Sequence, residues 1–265
     1  MHSNYEINST FFKNPPSEYF DHNHYPDFQD KLFEFKSLLK KQLHEDKPIS
    51  YYKFGDGDYF FLTKQSVGSA KPGNRALSKE YWRINHKKFV KGALNNDLYL
   101  CEIVSQNQLY FRELFNNEAD FPAEFVYGLT ANKWLTKTHN KKIGIIGAKE
   151  KLEVIHELLK NSEYQEFLGL DNFNDYIDIP QKFACDNIEE TKVIVKKQLE
   201  KSDSKIFLYG IGHVKSGISH FLPKYKNAIY LDIGSGVDAL AGIIDKNRPY
   251  FGNWTNYKLK NNNIY

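Results

Sequence analysis

The sequence predicts an α/β protein with a Rossmann-like, doubly wound and mostly parallel sheet of about six strands, flanked by helices and preceded by an irregular N-terminal arm. Short, mostly apolar runs recur along the chain, and segments with helical periodicity separate them. Such runs are typical of parallel strands that are buried on both faces. A length of 265 residues suffices for one large domain with its own core.

The elements follow from local patterns. Residues 1–28 contain Pro15, Pro16 and Pro26 and show no period, which predicts the irregular arm. Six β-rich runs predict strands at 49–54, 97–104, 142–147, 176–179, 205–210 and 227–232. Helical spacing of apolar residues predicts helices at 29–44, 78–94, 149–160, 189–201, 214–222 and 237–244.

The domain limits follow from the same patterns. Residues 29–257 are expected to form one α/β domain, in which the region 105–138 packs to one side as a helical subdomain. The tail at 258–265 is polar and rich in asparagine, so it is expected to be frayed.

Composition excludes several classes of protein. The formal charge is +3, from 36 basic and 33 acidic residues, which disfavours a dedicated nucleic-acid binder. The two cysteines, Cys101 and Cys185, lie in apolar runs and are expected to be reduced core residues. No run approaches the ~18 to 20 apolar residues of a membrane-spanning helix, and residues 1–12 lack the pattern of a secretory signal. We therefore expect a cytoplasmic protein; association with a membrane surface and a homo-oligomer are both compatible with this composition.

The turn after the first strand is the first candidate site. Residues 54–58 read Phe-Gly-Asp-Gly-Asp, which places Asp56 and Asp58 within reach of one cation, while Gly55 and Gly57 permit a tight turn. A hard divalent ion held by one or two carboxylates keeps room for substrate phosphates. An ordinary acidic turn is the alternative interpretation.

Four other turns are candidates for phosphate binding. Residues 68–75 combine small residues with Lys71 and Arg75, as in a loop around a diphosphate, although an ordinary surface loop has the same composition. Residues 210–217 open a helix with Gly210, Gly212, His213 and Lys215, where His213 is a phosphate ligand, an acid–base group or a neighbour of the helix cap. Residues 231–238 place Asp232 at a strand end, where a carboxylate can act as a base. The turn at Gly147 is a weaker candidate, because a tight connection between a strand and a helix also explains a glycine there.

The carboxyl ends of parallel strands share one edge of a sheet, which is where ligands bind in doubly wound folds. Together, these turns would supply a carboxylate pair, several cations and glycine turns at that edge. Binding of a nucleoside diphosphate with a divalent ion requires this combination.

The same residues carry a resemblance to a family. Residues 53–58 resemble the Arg-Phe-Gly-Asp-Gly-Glu signature of GT-D type glycosyltransferases, and residues 231–238 resemble the C-terminal Asp-Ile-Gly-His turn of that family. Residues 177–184 and the strand end at Gly210 are similar to its middle blocks, so the likeness spans about 49–245. In this chain Lys53 stands in place of the arginine of the signature, and Ser235 in place of the histidine.

The resemblance implies a metal-dependent transferase that moves a sugar from a nucleotide donor, usually UDP-linked, to a hydroxyl of a glycan or another acceptor. Asp56 and Asp58 would be the ligands of Mn²⁺ or Mg²⁺ and of the diphosphate. Charge that develops on the departing diphosphate would be stabilised by this ion together with Arg75, Lys71 or His213, and Asp232 would accept the acceptor's proton.

Two other functions agree with the same residues. One is a metal-dependent hydrolase of nucleotide sugars or phosphate esters, which would act without an acceptor. The other is a nucleotide-binding module without catalysis. An NAD enzyme is disfavoured, because the glycine fingerprint is missing after the first strand.

Overall fold

The computed structural model describes residues 28–64, 84–103, 105–131, 133–138, 142–180 and 183–243. The strands in these residues are β1 Ile49–Phe54, β2 Leu98–Cys101, β3 Phe121–Pro122, β4 Ile143–Ala148, β5 Asp175–Ile179, β6 Ile206–Gly210 and β7 Ile229–Asp232. They form one sheet in the order β3-β2-β1-β7-β6-β4-β5, and every neighbouring pair is parallel. The predicted Rossmann-like α/β fold is confirmed.

The helices connect the strands. They are α1 Phe28–His44, α2 Asp56–Thr63, α3 His86–Ala93, α4 Ser105–Phe115, α5 Glu124–Ala131, α6 Trp134–Thr138, α7 Lys149–Leu158, α8 Ser162–Leu168, α9 Ile188–Leu199, α10 Lys215–Ile218, α11 Leu222–Tyr225 and α12 Gly236–Leu240. Two 3₁₀ turns, Gly212–Val214 and Ser219–Phe221, adjoin α10. No helix in the described ranges combines the length and apolar character needed to span a membrane.

Helices cover both faces of the sheet, and each face has its own hydrophobic core. Successive residues of β1 show the alternation, because Tyr51 belongs to one core and Tyr52 to the other. Residues of α1, α5, α6, α7, α8 and α12 pack in the first core. Residues of α2, α3, α4, α9, α10 and α11 pack in the second. The two free cysteines, Cys101 and Cys185, are both buried in the second core, as expected.

The structure departs from the prediction at several elements. One is α8, Ser162–Leu168, where no helix was predicted. β3 was not predicted, because two residues that include Pro122 are too short to show a period; it joins the sheet beside β2, within the region 105–138. A helix, α2, follows β1 directly. The predicted helix at 214–222 is divided into 3₁₀ turns and two single-turn helices.

A close approach of two helices accompanies this division. A Cβ at Gly92 of α3 would lie 1.9 Å from the backbone oxygen of Ser216, and a Cβ at Gly217 would lie 2.9 Å from Ile188. Position 92 therefore requires glycine, because a Cβ there would meet the backbone of α10, whereas a Cβ at Gly217 would meet the side chains of Ile188 on α9 and Phe89 on α3. The predicted arm at 1–28, except its last residue, and the tail at 258–265 lie outside the described residues.

Candidate functional site

A crevice of about 250 Å³ lies at the carboxyl ends of β1, β6 and β7. The helix after β1 packs on one face of the sheet and the helix after β7 on the other, so the chain leaves these neighbouring strands in opposite directions. Ligands of doubly wound folds bind at such a point. Eight of the predicted site residues line the crevice, namely Gly55, Asp56, Gly57, Asp58, Gly210, Gly212, His213 and Lys215.

The ammonium group of Lys215 is the centre of the polar contacts below this crevice. It lies 3.0 Å from Asp58 Oδ2 and 3.1 Å from Asp232 Oδ2, and it also donates to the backbone oxygen of Lys53. The centroid of the Tyr52 ring lies 4.5 Å from this ammonium group, and Lys215 is 5% exposed. Because an ammonium has three N–H donors, every donor of Lys215 has an acceptor.

Asp58 has a structural role at the start of α2. Gly55 is the N-cap of this helix in an extended conformation, and its N–H donates to Asp58 Oδ2 at 3.0 Å, as in a capping box. The hydroxyl of Tyr52 donates to Asp58 Oδ1 at 3.2 Å and shares a further hydrogen bond with Ser216. With Lys215 as a third donor, the carboxylate of Asp58 is buried and held on three sides.

Asp232 is held in a similar way at the end of β7. Its Oδ2 accepts the backbone N–H of Lys53 at 2.9 Å, and its Oδ1 accepts that of Gly234 at 2.8 Å. The residue is 1% exposed, and burial raises its pKa although Lys215 and Lys53 act to lower it. In this arrangement Asp232 joins β1 to β7, while its predicted role as a base stays a prediction.

A second ion pair lies beside the first. Lys53 Nζ lies 2.8 Å from Glu102 Oε1, at the end of β2. Behind it, Glu124 accepts the N–H of Ile103 at 3.0 Å through Oε1, while its buried Oε2 has no hydrogen-bond partner among the described residues. Burial, and secondarily the charge of Glu102, raise the pKa of Glu124 to about 8. Glu124 is therefore neutral at pH 7.

His213 lies on the α2 side of the crevice. Its ring is stacked on Phe61, with centroids 4.3 Å apart and planes inclined by 6°. Its Nδ1 is buried and has no hydrogen-bond partner within the described part of the chain. Burial lowers the pKa of His213, so the imidazole is neutral at pH 7 and one of its nitrogens is able to accept a proton.

The glycines at the strand ends have different roles. Gly212 has φ +56°, and a Cβ there would meet no atom of the described residues within 4 Å, so these residues leave its backbone open to an approaching ligand. A Cβ at Gly210 would lie 2.2 Å from the backbone oxygen of Gly234, so this position is needed for packing. A Cβ at Gly147 would lie 3.0 Å from Leu152, which makes Gly147 a packing position too. Lys71 and Arg75 lie outside the described residues.

A divalent cation fits Asp56 better than the predicted pair. Asp56 is exposed on the crevice rim, where its Oδ1 accepts the N–H of Gly57 at 2.7 Å. Asp58 is buried behind it and bound to Lys215. No group of three His, Cys, Asp or Glu residues in the described ranges is placed to hold a metal. A cation that arrives with a diphosphate needs only one or two carboxylates from the protein, because phosphate oxygens and waters complete its shell.

The sequence analysis missed three charged residues that line the crevice, namely Glu102, Lys151 and Asp238. Lys151 Nζ and Asp238 Oδ1 lie 2.5 Å apart and join α7 to α12. The position of Glu102, directly after a strand, is the signal that could have identified it. Comparison with protein-family models, with curated proteins and with solved structures found no match for this chain.

Proposed function

We propose that this chain is a glycosyltransferase that takes a sugar from a nucleoside-diphosphate donor, UDP-linked, and transfers it to a hydroxyl of a glycan or another acceptor. The observation that supports the proposal is the meeting of three separate turns at one crevice. The residues after β1 and β7 that resemble the GT-D signatures lie there beside the glycine turn after β6. A nucleotide binds at this place in doubly wound folds.

The charge of the crevice supports a cation-assisted donor. Its lining has four carboxylates, on Asp56, Asp58, Glu102 and Asp238, and three ammonium groups, on Lys53, Lys151 and Lys215. A diphosphate would meet a net negative surface, and Asp56 is the exposed carboxylate among them. A divalent ion held by Asp56 and by the phosphates would neutralise the charge of the leaving diphosphate.

Other residues of the crevice would position the reactants. The open backbone of Gly212 lets a phosphate approach the start of the 3₁₀ turn. His213, neutral at pH 7, is a better candidate than the buried Asp232 to take the proton of the acceptor hydroxyl. Lys215 would act indirectly, because it fixes the two strand ends that shape the crevice.

A thermal-shift screen of UDP-sugars with and without Mn²⁺ tests the proposal. We expect the donor to raise the melting temperature by about 5 °C at a hundredfold excess over Kd, and only with the metal present. Asp56→Asn should remove this rise without unfolding the protein, because Asp56 is exposed. The matched control is Asp203→Asn, an exposed residue before β6 that should leave the rise intact.

Three results would contradict the proposal. If no UDP-sugar stabilises the protein under any metal condition, the crevice is not a donor site. If the donor binds and UDP is released at the same rate with and without acceptors, the hydrolase alternative is correct. A donor that binds but is never consumed would favour the nucleotide-binding module.

A further inference from the structure

A second cavity, of about 380 Å³, lies between α3, α9 and the helical turns at 215–225. Its lining includes the apolar side chains Phe89 and Ile188, together with the two glycines, Gly92 and Gly217, at which α3 and α10 approach most closely. Its volume lies within the range of small-molecule pockets, roughly 300 to 1,000 Å³. None of its lining residues lines the crevice described above.

The lining of this cavity is strongly basic. Four lysines line it, namely Lys88, Lys91, Lys192 and Lys224, and its only acid in the described residues is Glu189. Glu189 lies 3.5 Å from Lys88 and 3.2 Å from Lys192, so one carboxylate faces two of the ammonium groups. Because the whole chain carries only +3, this concentration of positive charge is local.

The ammonium groups of two of these lysines lie near one aromatic ring. The ammonium groups of Lys192 and Lys224 lie 4.5 and 5.4 Å from the ring centroid of Phe221. Cation–π attraction to the ring offsets part of the repulsion between the two charges. An anion bound beside Phe221 would reduce the repulsion between the two charges.

His220 reports the same local charge. Its ring centroid lies 4.0 Å from that of Phe221, and its buried Nδ1 has no hydrogen-bond partner in the residues that the structure describes. The pKa of His220 is lowered to about 4, first by burial and then by the charges of Lys192 and Lys224. The charges of both lysines therefore act on a residue that lines this cavity.

We propose that this cavity, the lysine pocket, binds a small phosphate ester with an apolar body. The apolar group would lie against Phe89 and Ile188, and the phosphate between Lys192 and Lys224. A phosphate complements the two ammonium groups near Phe221 better than a carboxylate does, because the charge of a phosphate ester at pH 7 is close to −2. The lysine pocket does not depend on the proposed transferase site, so an experiment can refute either proposal without refuting the other.

Calorimetric titration with phenyl phosphate, in the absence of nucleotide, tests the lysine pocket. Inorganic phosphate measures the binding of the charged group without the ring, and benzyl alcohol measures the binding of the ring without the charged group. We expect phenyl phosphate to bind about tenfold more tightly than either. The double variant Lys192→Gln/Lys224→Gln should weaken its binding about tenfold or more.

The control is the double variant Lys197→Gln/Lys201→Gln, which removes the same charge from exposed positions on and after α9. Its affinity for phenyl phosphate should stay within about twofold of the wild type. Equal weakening by both double variants, or equal affinity for inorganic and phenyl phosphate, would overturn the proposal in favour of general surface charge. Binding of anionic phosphatidylglycerol vesicles without binding of phenyl phosphate would overturn it in favour of a membrane surface.

Discussion

The ion pair between Lys215 and Asp58 joins residues that lie 157 positions apart in the chain. The sequence analysis assigned Asp58 to a metal and Lys215 to a phosphate, because both follow strand ends. In the structure they bind each other, and Asp232 completes the group. Removal of one charged partner from a buried ion pair lowers the free energy of unfolding by much more than the intact pair contributes to it, because the remaining charge stays buried.

Lys215→Met tests this interpretation. The substitution leaves Asp58 and Asp232 buried without their shared counter-ion, so we expect the free energy of unfolding to fall by about 3–5 kcal/mol. Urea denaturation at pH 7 measures the change.

The double variant Lys215→Met/Asp58→Asn is the control for this substitution. It should recover part of the loss, because one of the two uncompensated charges is removed. A single variant within about 0.5 kcal/mol of the wild type would show that the buried group contributes little to stability.

Elements meet at the crevice through backbone contacts as well as charges. The end of β6 passes so close to the turn between β7 and α12 that a Cβ at Gly210 would lie 2.2 Å from Gly234 O and 2.7 Å from Val237 Cγ2. This approach holds the turn that follows Asp232. Gly210 therefore supports the crevice by its lack of a side chain, rather than by contact with a phosphate.

Gly210→Ala should cost about 1–3 kcal/mol of unfolding free energy, because the added methyl group collides with fixed backbone. The matched variant is Gly212→Ala, two residues further on, where the methyl group would lie in open space. Its positive φ of +56° should cost only about 1 kcal/mol. Chemical denaturation of both variants compares them. A cost of Gly210→Ala no greater than that of Gly212→Ala would contradict the close approach as the reason for glycine at Gly210.

For the whole molecule, the titration of Glu124 makes stability depend on pH. Its pKa of about 8, raised by burial and by Glu102, keeps it protonated in the folded protein at pH 7. The unfolded chain releases this proton near pH 4.5. Between these values the folded state binds more protons than the unfolded state, so this group lowers stability as the pH rises.

Glu124→Gln should remove this dependence, since glutamine resembles the protonated acid in shape. We expect the variant to match the wild type near pH 5 and to exceed its unfolding free energy by roughly 2–4 kcal/mol near pH 8. Denaturation curves at several pH values give the comparison, and Glu166→Gln, an exposed position on α8, is the control. If the unfolding free energy of the wild type changes with pH in parallel with that of Glu124→Gln across this range, the result would contradict the raised pKa of Glu124.

The sequence by itself determined the fold class, six of the seven strands and the edge of the sheet where the turns gather. Periodicity and apolar runs are local properties, so β1, β4 and β6 could be identified within one or two residues. The same local patterns gave no sign of β3, which is two residues long and depends on pairing with β2.

Only the tertiary structure decided what each polar residue near the crevice contacts. Asp56 and Asp58 are two positions apart, yet one is exposed on the rim while the other is buried against Lys215. A helix that starts at Asp56 turns these side chains in different directions, and Lys215 of α10, which is paired with Asp232 of β7, forms an ion pair with Asp58. Contacts between distant parts of the chain depend on how the strands are ordered, and no local pattern encodes that order.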